Sequence, residues 1–440
     1  MELRAIVTRI YDTTKLLPVG PAPDYRLHSV VETPFLHVLL LKPGQAGTKP
    51  FLSRQLATDL KQVTALGDRE EIVIDVRHGF VAIQVPKTPA ERGKTVYTSR
   101  NVPRGRGLRV VLGLDVMNQP LSFDFAGQLN TNLSFLGVPG SGKSVLMRHV
   151  STSLAAGNTP DRVRFLMIEV AKDGLDLRLF GKLPHLVHPV ITEPAEAEAA
   201  LAWAVTRLSE GLDYRLFIVI DEVAALVSRR PAAIPLLMTL VSQGRAMGIV
   251  NLLATQLSDR DTLGEGKVIF KQIHNVVLGK AGNAQLSYLL GNRSKLNAES
   301  LLGQGDLLLA SSDETGRFAG VFPTRQDILA LPQTESVARL PLGHYTNTAA
   351  VIEAERKPGP DPEPIPPEVV AAGLRSLQRQ LSDPAYRAQL AGRQYYVLPV
   401  REVKALGRNL RVFKERDQVY ITSLYRALWR RGLKLCSRKS

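Results

Sequence analysis

The sequence predicts an α/β fold, with a mainly parallel central sheet, a small α/β unit before it and a small basic helical unit after it. Three observations predict it. Strand-length apolar runs alternate with helical segments through residues 133–279. These runs are apolar almost throughout, as strands buried on both faces are, and a parallel sheet is buried in that way by its crossover helices. One run leads straight into a glycine-rich turn and an amphipathic helix, NLSFLGVPGSGKSVLMRHV at residues 132–150.

Taken in order, residues 1–104 read as the small α/β unit. Strand-like runs HVLLL (37–41), EIVIDV (71–76) and FVAIQV (80–85) accompany SRQLATDLKQVTALG, whose Leu56, Leu60, Val63 and Leu66 recur at helical spacing. RNVPRGRG (100–107) marks the passage to the second unit, residues 105–345. Its apolar runs are SFLG (134–137), RFLMIEV (164–170), LFIVIDEV (216–223), IVNLLATQ (249–256) and NVVLG (275–279). A linker over 346–367 follows. Its end falls in KPGPDPEPIPPE (357–368), where six prolines in twelve residues prevent a helix or central strand and favour an extended spacer. Residues 368–440 form the last unit, with 16 Lys/Arg against 5 Asp/Glu, a net +11 of the chain's +15. Within it Ile421, Leu424, Tyr425 and Leu428 make one apolar helical stripe and Gly432 is a helix stop. Arg426, Arg430 and Arg431 lie off that stripe and are candidate contacts for DNA phosphates.

Composition bounds the function. The chain has 440 residues, 44% hydrophobic and 22% charged, an ordinary globular balance. No run reaches the roughly 18 apolar residues of a membrane helix, and the first residues lack the apolar core of a signal peptide, so a cytoplasmic protein is expected. The single cysteine, Cys436, has no internal partner, and no Cys/His cluster has metal-site spacing, so His185 and His188 read as ordinary histidines. The net charge of +15 suggests a polyanionic partner.

The chemistry starts at the turn. Gly137, Val138, Pro139, Gly140, Ser141, Gly142, Lys143 and Ser144 match G-x-x-x-x-G-K-[ST] in full, and Val145 continues into the helix. Glycines let backbone N–H groups converge on phosphate oxygens, and the helix adds the positive end of its dipole. Lys143 would bridge the β- and γ-phosphates, and the Ser144 hydroxyl would hold Mg²⁺. A metal carboxylate is needed at the end of a neighbouring strand. LFIVIDEV supplies it: five apolar residues carry Asp221 and Glu222 to the strand's C-terminal end, where ligands of such sheets gather. Asp221 would hold Mg²⁺ and Glu222 would orient the attacking water. No guanine-reading N-K-x-D is present, so the expected nucleotide is ATP. Gln256 ends its strand and would lie beside Asp221 if the two strands are neighbours, where it could sense the γ-phosphate.

The order of motifs resembles the FtsK/SpoIIIE family of double-stranded DNA translocases, within the RecA-like hexameric P-loop motors that include the HerA type. Besides the phosphate loop and the Asp-Glu strand, the resemblance rests on RVRFLMIEV with LPHLVHPVITEPAEAEAALAWAV, on GRAMGIVNLLATQ, on LLGQGDLLL (301–309), and on VGPAPDYRL and FVAIQVPKTPAERGKTVY before the core. It covers about residues 19–322. It implies a RecA-like core, a homohexameric ring, duplex DNA in the pore and ATP between subunits. It also makes VSRRPAA a candidate pore loop, with Arg229 and Arg230 on DNA phosphates. The sequence departs from the family in a short stretch before the Asp-Glu strand and in HNVVLGK, where relatives often have an arginine. Lys280, Arg245 and Arg293 stay open as the residue reaching a neighbour's ATP. The tail resembles no specific motif, so a winged-helix-like module and a plain basic helix both stay open. Two other functions also stay open: a DNA-transfer or packaging ATPase held at an envelope by a membrane-anchoring partner, and a non-motor scaffold that binds nucleotide only to assemble.

Overall fold

The computed structural model describes residues 26–345 apart from 44–47, 53, 65, 67–69, 93–97, 99–105, 128–131, 172–173, 257–262, 283–285, 287–297 and 312–314. The chain divides into two compact units, Met1–Arg356 and Lys357–Ser440, and all described residues lie in the first. The basic tail, with Arg426, Arg430 and Arg431, lies outside the described residues.

Two sheets organise the first unit. The smaller holds β1 (Arg26–Glu32), β2 (Leu36–Lys42), β3 (Val73–Arg77) and β4 (Phe80–Pro86), with α1 (Arg54–Thr64) between β2 and β3. Its order is β1-β2-β4-β3, antiparallel throughout. Side chains alternate along a strand, so β2 and β4 feed two cores. Leu39, Leu41, Val81, Ile83 and Val85 pack with Leu56 and Leu60 of α1. Leu36, Val38, Leu40 and Ala82 point the other way and pack on Val111, Leu114 and Ala319 of the larger sheet. Both faces are covered, which is why these strands read as continuous apolar runs.

The larger sheet collects β5 (Arg109–Asp115), β6 (Pro120–Asp124), β7 (Leu133–Gly137), β8 (Val163–Ile168), β9 (Arg215–Ile220), β10 (Ile249–Gln256), β11 (Asn275–Leu278), β12 (Asp306–Ala310) and β13 (Thr315–Gly320). The helices are α2 (Lys143–Gly157), α3 (Pro194–Glu210), α4 (Val223–Arg229), α5 (Ala233–Gln243), α6 (Lys267–Gln272) and α7 (Arg325–Leu329). Strand order is β6-β5-β13-β12-β11-β7-β10-β9-β8. The block β11-β7-β10-β9-β8 is parallel, as the sequence predicts. Beyond β11 the sheet continues antiparallel through β12, β13, β5 and β6, so the whole sheet is mixed. Alternation again sends residues to two cores. Phe165, Met167, Phe217 and Val219 meet Met147, Val150 and Leu154 of α2, while Leu166, Ile168, Ile218 and Ile220 meet the small-residue face of α3 and the leucines of α5. Fully burying side chains of this size contributes about 1.5–3 kcal/mol each, which fixes the strand register and with it the strand ends.

Candidate nucleotide site

Parallel strands deliver their C-terminal ends to one edge, and three of them carry the site. β10 lies between β7 and β9, with Gln256 level with Gly137 on one side and Leu253 level with Ile220 on the other. The turn after β7, the acid pair after β9 and the last residues of β10 therefore converge.

The phosphate loop bends through Gly140 at φ 73° and Gly142 at φ 102°, both left-handed. A Cβ on Gly142 would lie 2.8 Å from the Gly305 amide nitrogen, so a second turn packs directly on the loop. That turn, Gly303-Gln304-Gly305, has positive φ at all three residues. Its Gln304 N–H donates to the Gly140 carbonyl at 3.2 Å and its Gly305 N–H to the Ser141 carbonyl at 3.0 Å. Within the loop the buried Lys143 ammonium donates to the carbonyls of Gly137 (2.8 Å) and Val138 (2.9 Å). Pro139 is exposed and Val145 half-buried.

The Ser144 hydroxyl donates to both Asp221 oxygens, at 2.9 and 3.1 Å. Glu222 follows at φ 74°, one of four non-glycine residues with positive φ among the described residues. Its N–H donates to the Ala254 carbonyl at 3.1 Å. Its carboxylate accepts from the Thr255 hydroxyl at 2.7 Å and from the Gln256 N–H at 3.1 Å. Burial pushes the Glu222 carboxyl above the ordinary range, against the pull of these two donors. The Gln256 contribution to this network is its main chain.

Two carboxylates that the sequence reading passed over join Asp221. Glu169, fully buried at the end of β8, and Asp176 each bring an oxygen within a mutual 4.8 Å of an Asp221 oxygen. The Glu169 carboxylate accepts from the N–H groups of Asp176 (3.1 Å) and Leu177 (2.8 Å). Burial raises the Glu169 carboxyl too. The signal was available: RFLMIEV ends an apolar strand in an acid just as LFIVIDEV does. Thr255 carries no such signal, since its role depends on β10 lying against β9.

The donor set suits ATP and Mg²⁺. A serine hydroxyl and a carboxylate are hard oxygen ligands of the kind Mg²⁺ takes, and a left-handed glycine loop ahead of a helix N-terminus is suited to turn N–H groups towards phosphate oxygens, with Lys143 held at the same loop by its carbonyls.

Arg229 and Arg230 stand at the C-terminal end of α4. Arg229 donates to the Val170 carbonyl at 3.0 Å, and Arg230 pairs with the buried Glu198 of α3. Lys280 contributes its carbonyl, which accepts from the Val138 N–H at 2.9 Å, and Arg245 is exposed on the turn before β10, while Arg293 lies outside the described residues. His185 is held by its Nε2–H on the Asn158 carbonyl at 2.9 Å, and His188 is buried beside Glu196.

The model of the FtsK/SpoIIIE family matches residues 97–217, a stretch that ends inside β9 and contains the whole phosphate loop. Over these residues the chain is similar to that family. It is 28% identical over 313 residues to the DNA translocase FtsK of Borreliella burgdorferi, an alignment over 61% of this chain and 38% of that protein. The FtsK of Caldanaerobacter subterraneus is 25% identical over 73% of this chain and 48% of its own length. The FtsK of Rickettsia bellii reaches 34% identity over 37% of this chain and 22% of its own. The chain thus spans less than half the length of these relatives. Among solved structures, the conjugation coupling protein TcpA of pCW3 superposes with a TM-score of 0.41 at 17% identity, over 75% of this chain and 99% of that one. Among the described residues no helix is long and apolar enough to cross a membrane.

Proposed function

We propose that the chain is an ATP-driven motor that moves double-stranded DNA through a homohexameric ring. One observation carries it: Ser144, in the first turn of the helix after β7, meets Asp221, with Glu222 next to it, at the end of β9 and across the end of the intervening β10, in a chain similar to DNA translocases. The loop residues 137–145 bind the triphosphate, Lys143 bridging its outer phosphates. Ser144 and Asp221 would hold Mg²⁺, which would supply positive charge against the phosphates. Glu222 orients and deprotonates the attacking water, and the Gln256 side chain senses the γ-phosphate. A scaffold has no need of a water-orienting base, so the buried Glu222 beside the Ser144–Asp221 pair favours hydrolysis.

Residues 1–104 serve as a subdomain seated on the motor core of 105–345, and residues 346–367 tether a DNA- or partner-binding module at 368–440. Arg229 and Arg230 meet DNA at the pore by exchanging Val170 and Glu198 for phosphates. The test is ATP hydrolysis with and without linear duplex. Stimulation by DNA is expected, with loss in Lys143→Ala and in Glu222→Gln. Equal turnover with and without DNA discards the motor and leaves the ATPase.

A further inference from the structure

The phosphate loop is braced from outside by the turn Gly303-Gln304-Gly305, and that turn needs a brace of its own. Gln304 stands at φ 53°, a left-handed backbone that a residue with a side chain keeps only where its surroundings fix it. β13 supplies those surroundings. Its Gly320 N–H donates to the Gly305 carbonyl at 2.8 Å. Three residues earlier, the buried Arg317 guanidinium forks onto Asp306, Nε to Oδ1 at 2.9 Å and Nη2 to Oδ2 at 2.6 Å. Nη2 also donates to the Ser300 carbonyl at 3.3 Å. Asp306 in turn accepts from the Leu302 N–H at 2.8 Å and donates its own N–H to the Gly303 carbonyl at 3.1 Å. One side chain thus ties both ends of the segment 300–306.

Its remaining contact reaches the smaller sheet. Nη1 donates to Oε1 of Gln84 at 3.3 Å. Gln84 is buried on β4 and shares with Ala82 the face that meets the larger sheet. At the other end, the bonds reach the loop. The Ser141 carbonyl is pinned by the Gly305 N–H, which fixes that peptide plane, and in a trans peptide the following Gly142 N–H then points away from the turn. Backbone N–H groups of this kind are what a glycine-rich loop offers to phosphate oxygens.

We infer that Arg317 is a positioning residue for phosphate binding. Through Asp306 and the 303–305 turn it sets the direction of the loop's donors, and through Gln84 it makes the smaller sheet part of the brace. This role rests on the ATP reading above and adds to it a residue far outside the loop motif. The planar fork is essential to it: a lysine keeps the charge but is a point donor that cannot hold Ser300, Asp306 and Gln84 together. Asp221 and Glu222 are held by Ser144 and by β10, without the turn, so the effect falls on binding rather than on turnover.

The test compares the wild type with Arg317→Lys, Gln84→Leu and Leu60→Ala, each in the full chain and below its melting temperature. Leu60 of α1 packs on the opposite face of the smaller sheet, so Leu60→Ala reports what lost stability does by itself. Binding of ATP and of inorganic tripolyphosphate is measured by calorimetry, and kcat and KM by ATP hydrolysis. Arg317→Lys is expected to weaken both ligands about tenfold, or about 1.4 kcal/mol, with KM raised to match and kcat kept. Gln84→Leu spares the ion pair and is expected to weaken both about threefold, as loss of one hydrogen bond does. Leu60→Ala is expected to weaken neither. Unchanged affinity in Arg317→Lys, loss of ATP without loss of tripolyphosphate, or a fall in kcat at unchanged KM overturns the role and leaves the ATP reading. An equal loss in Leu60→Ala does the same, since stability alone then accounts for it. If Arg317→Lys does not fold, Gln84→Leu decides, and wild-type affinity in it overturns the role. A wild type that binds neither ligand sinks the ATP reading and this role together.

Discussion

Glu222 holds a left-handed backbone, which for a residue with a side chain costs on the order of 1–3 kcal/mol and persists only where surroundings fix it. Its surroundings here are the Ala254 carbonyl, the Thr255 hydroxyl and the Gln256 amide, all from β10. Thr255→Val keeps the shape and removes the hydroxyl. The carboxyl, already raised by burial, then rises further, because the lost donor favoured the charged form. The acid limb of the ATP-hydrolysis rate is expected to move to higher pH, and turnover at neutral pH to fall severalfold. A pH–rate profile checks it, and an acid limb that stays in place discards Thr255 as a positioning residue. His149 gives a stability counterpart. It is buried on α2 with its Nε2–H on the Val111 carbonyl at 2.8 Å, and burial lowers its pKa from 6.5 to about 4. Between those values the unfolded chain binds a proton that the folded chain refuses. This stability is complete above 6.5 and is lost as pH falls towards 4, by at most about 3 kcal/mol at 1.36 kcal/mol per unit. Denaturation midpoints at pH 7 and 4.5 are expected to separate less in His149→Gln than in the wild type. Asp221 and Glu222 were legible because an apolar run ended in acids. The part of Thr255 was not, because it arises from pairing between strands more than thirty residues apart in sequence.

At the scale of elements, the turn at 303–305 and the phosphate loop behave as one piece. Two N–H groups of the turn satisfy two loop carbonyls, and a Cβ on Gly142 would run into the Gly305 backbone, so the loop packs on the turn without a side chain at position 142. Gly305 stands at φ 100°, so Gly305→Ala adds backbone strain of roughly 1–3 kcal/mol. It is expected to lower the melting temperature and weaken ATP binding together, while Gly343→Ala, in open space, changes neither. A Gly305→Ala protein with normal ATP affinity would show that the turn does not shape the loop. The sequence singled out LLGQGD as a turn and strand, yet its docking on the loop needed the fold. The same holds for the sheet. Apolar runs gave the parallel strands their positions, but periodicity carries no direction. The antiparallel β5 and β13 are buried as the parallel strands are, because the small sheet covers them on a second face, whereas β6 alternates buried and open residues.

Across the whole molecule, one buried ion pair ties the small sheet to the nucleotide edge. Arg317 of β13 donates to Asp306 at 2.6 Å, reaches Gln84 of β4 at 3.3 Å, and shares Asp306 with the Leu302 N–H at 2.8 Å. Both partners are almost wholly buried, so Asp306→Ala, which strands the guanidinium, is expected to cost about 3–5 kcal/mol by denaturant titration. Charge acts on a longer scale. The chain carries +15 overall, with a net +11 in residues 368–440, while Arg229 and Arg230 at the end of α4 are already engaged inside the chain. If duplex is gripped by its phosphates, binding depends little on base sequence and steeply on salt, with log K falling by about 0.9 per neutralised phosphate for each tenfold rise in salt. Replacing Arg426, Arg430 and Arg431 by alanine is therefore expected to flatten that slope by up to about 3 and to weaken all duplex sequences alike. The measurement is duplex affinity across a salt series for the full chain and the triple variant. An unchanged slope removes these three arginines from the DNA contacts and leaves Arg229 and Arg230 as the candidates to test next in the same way.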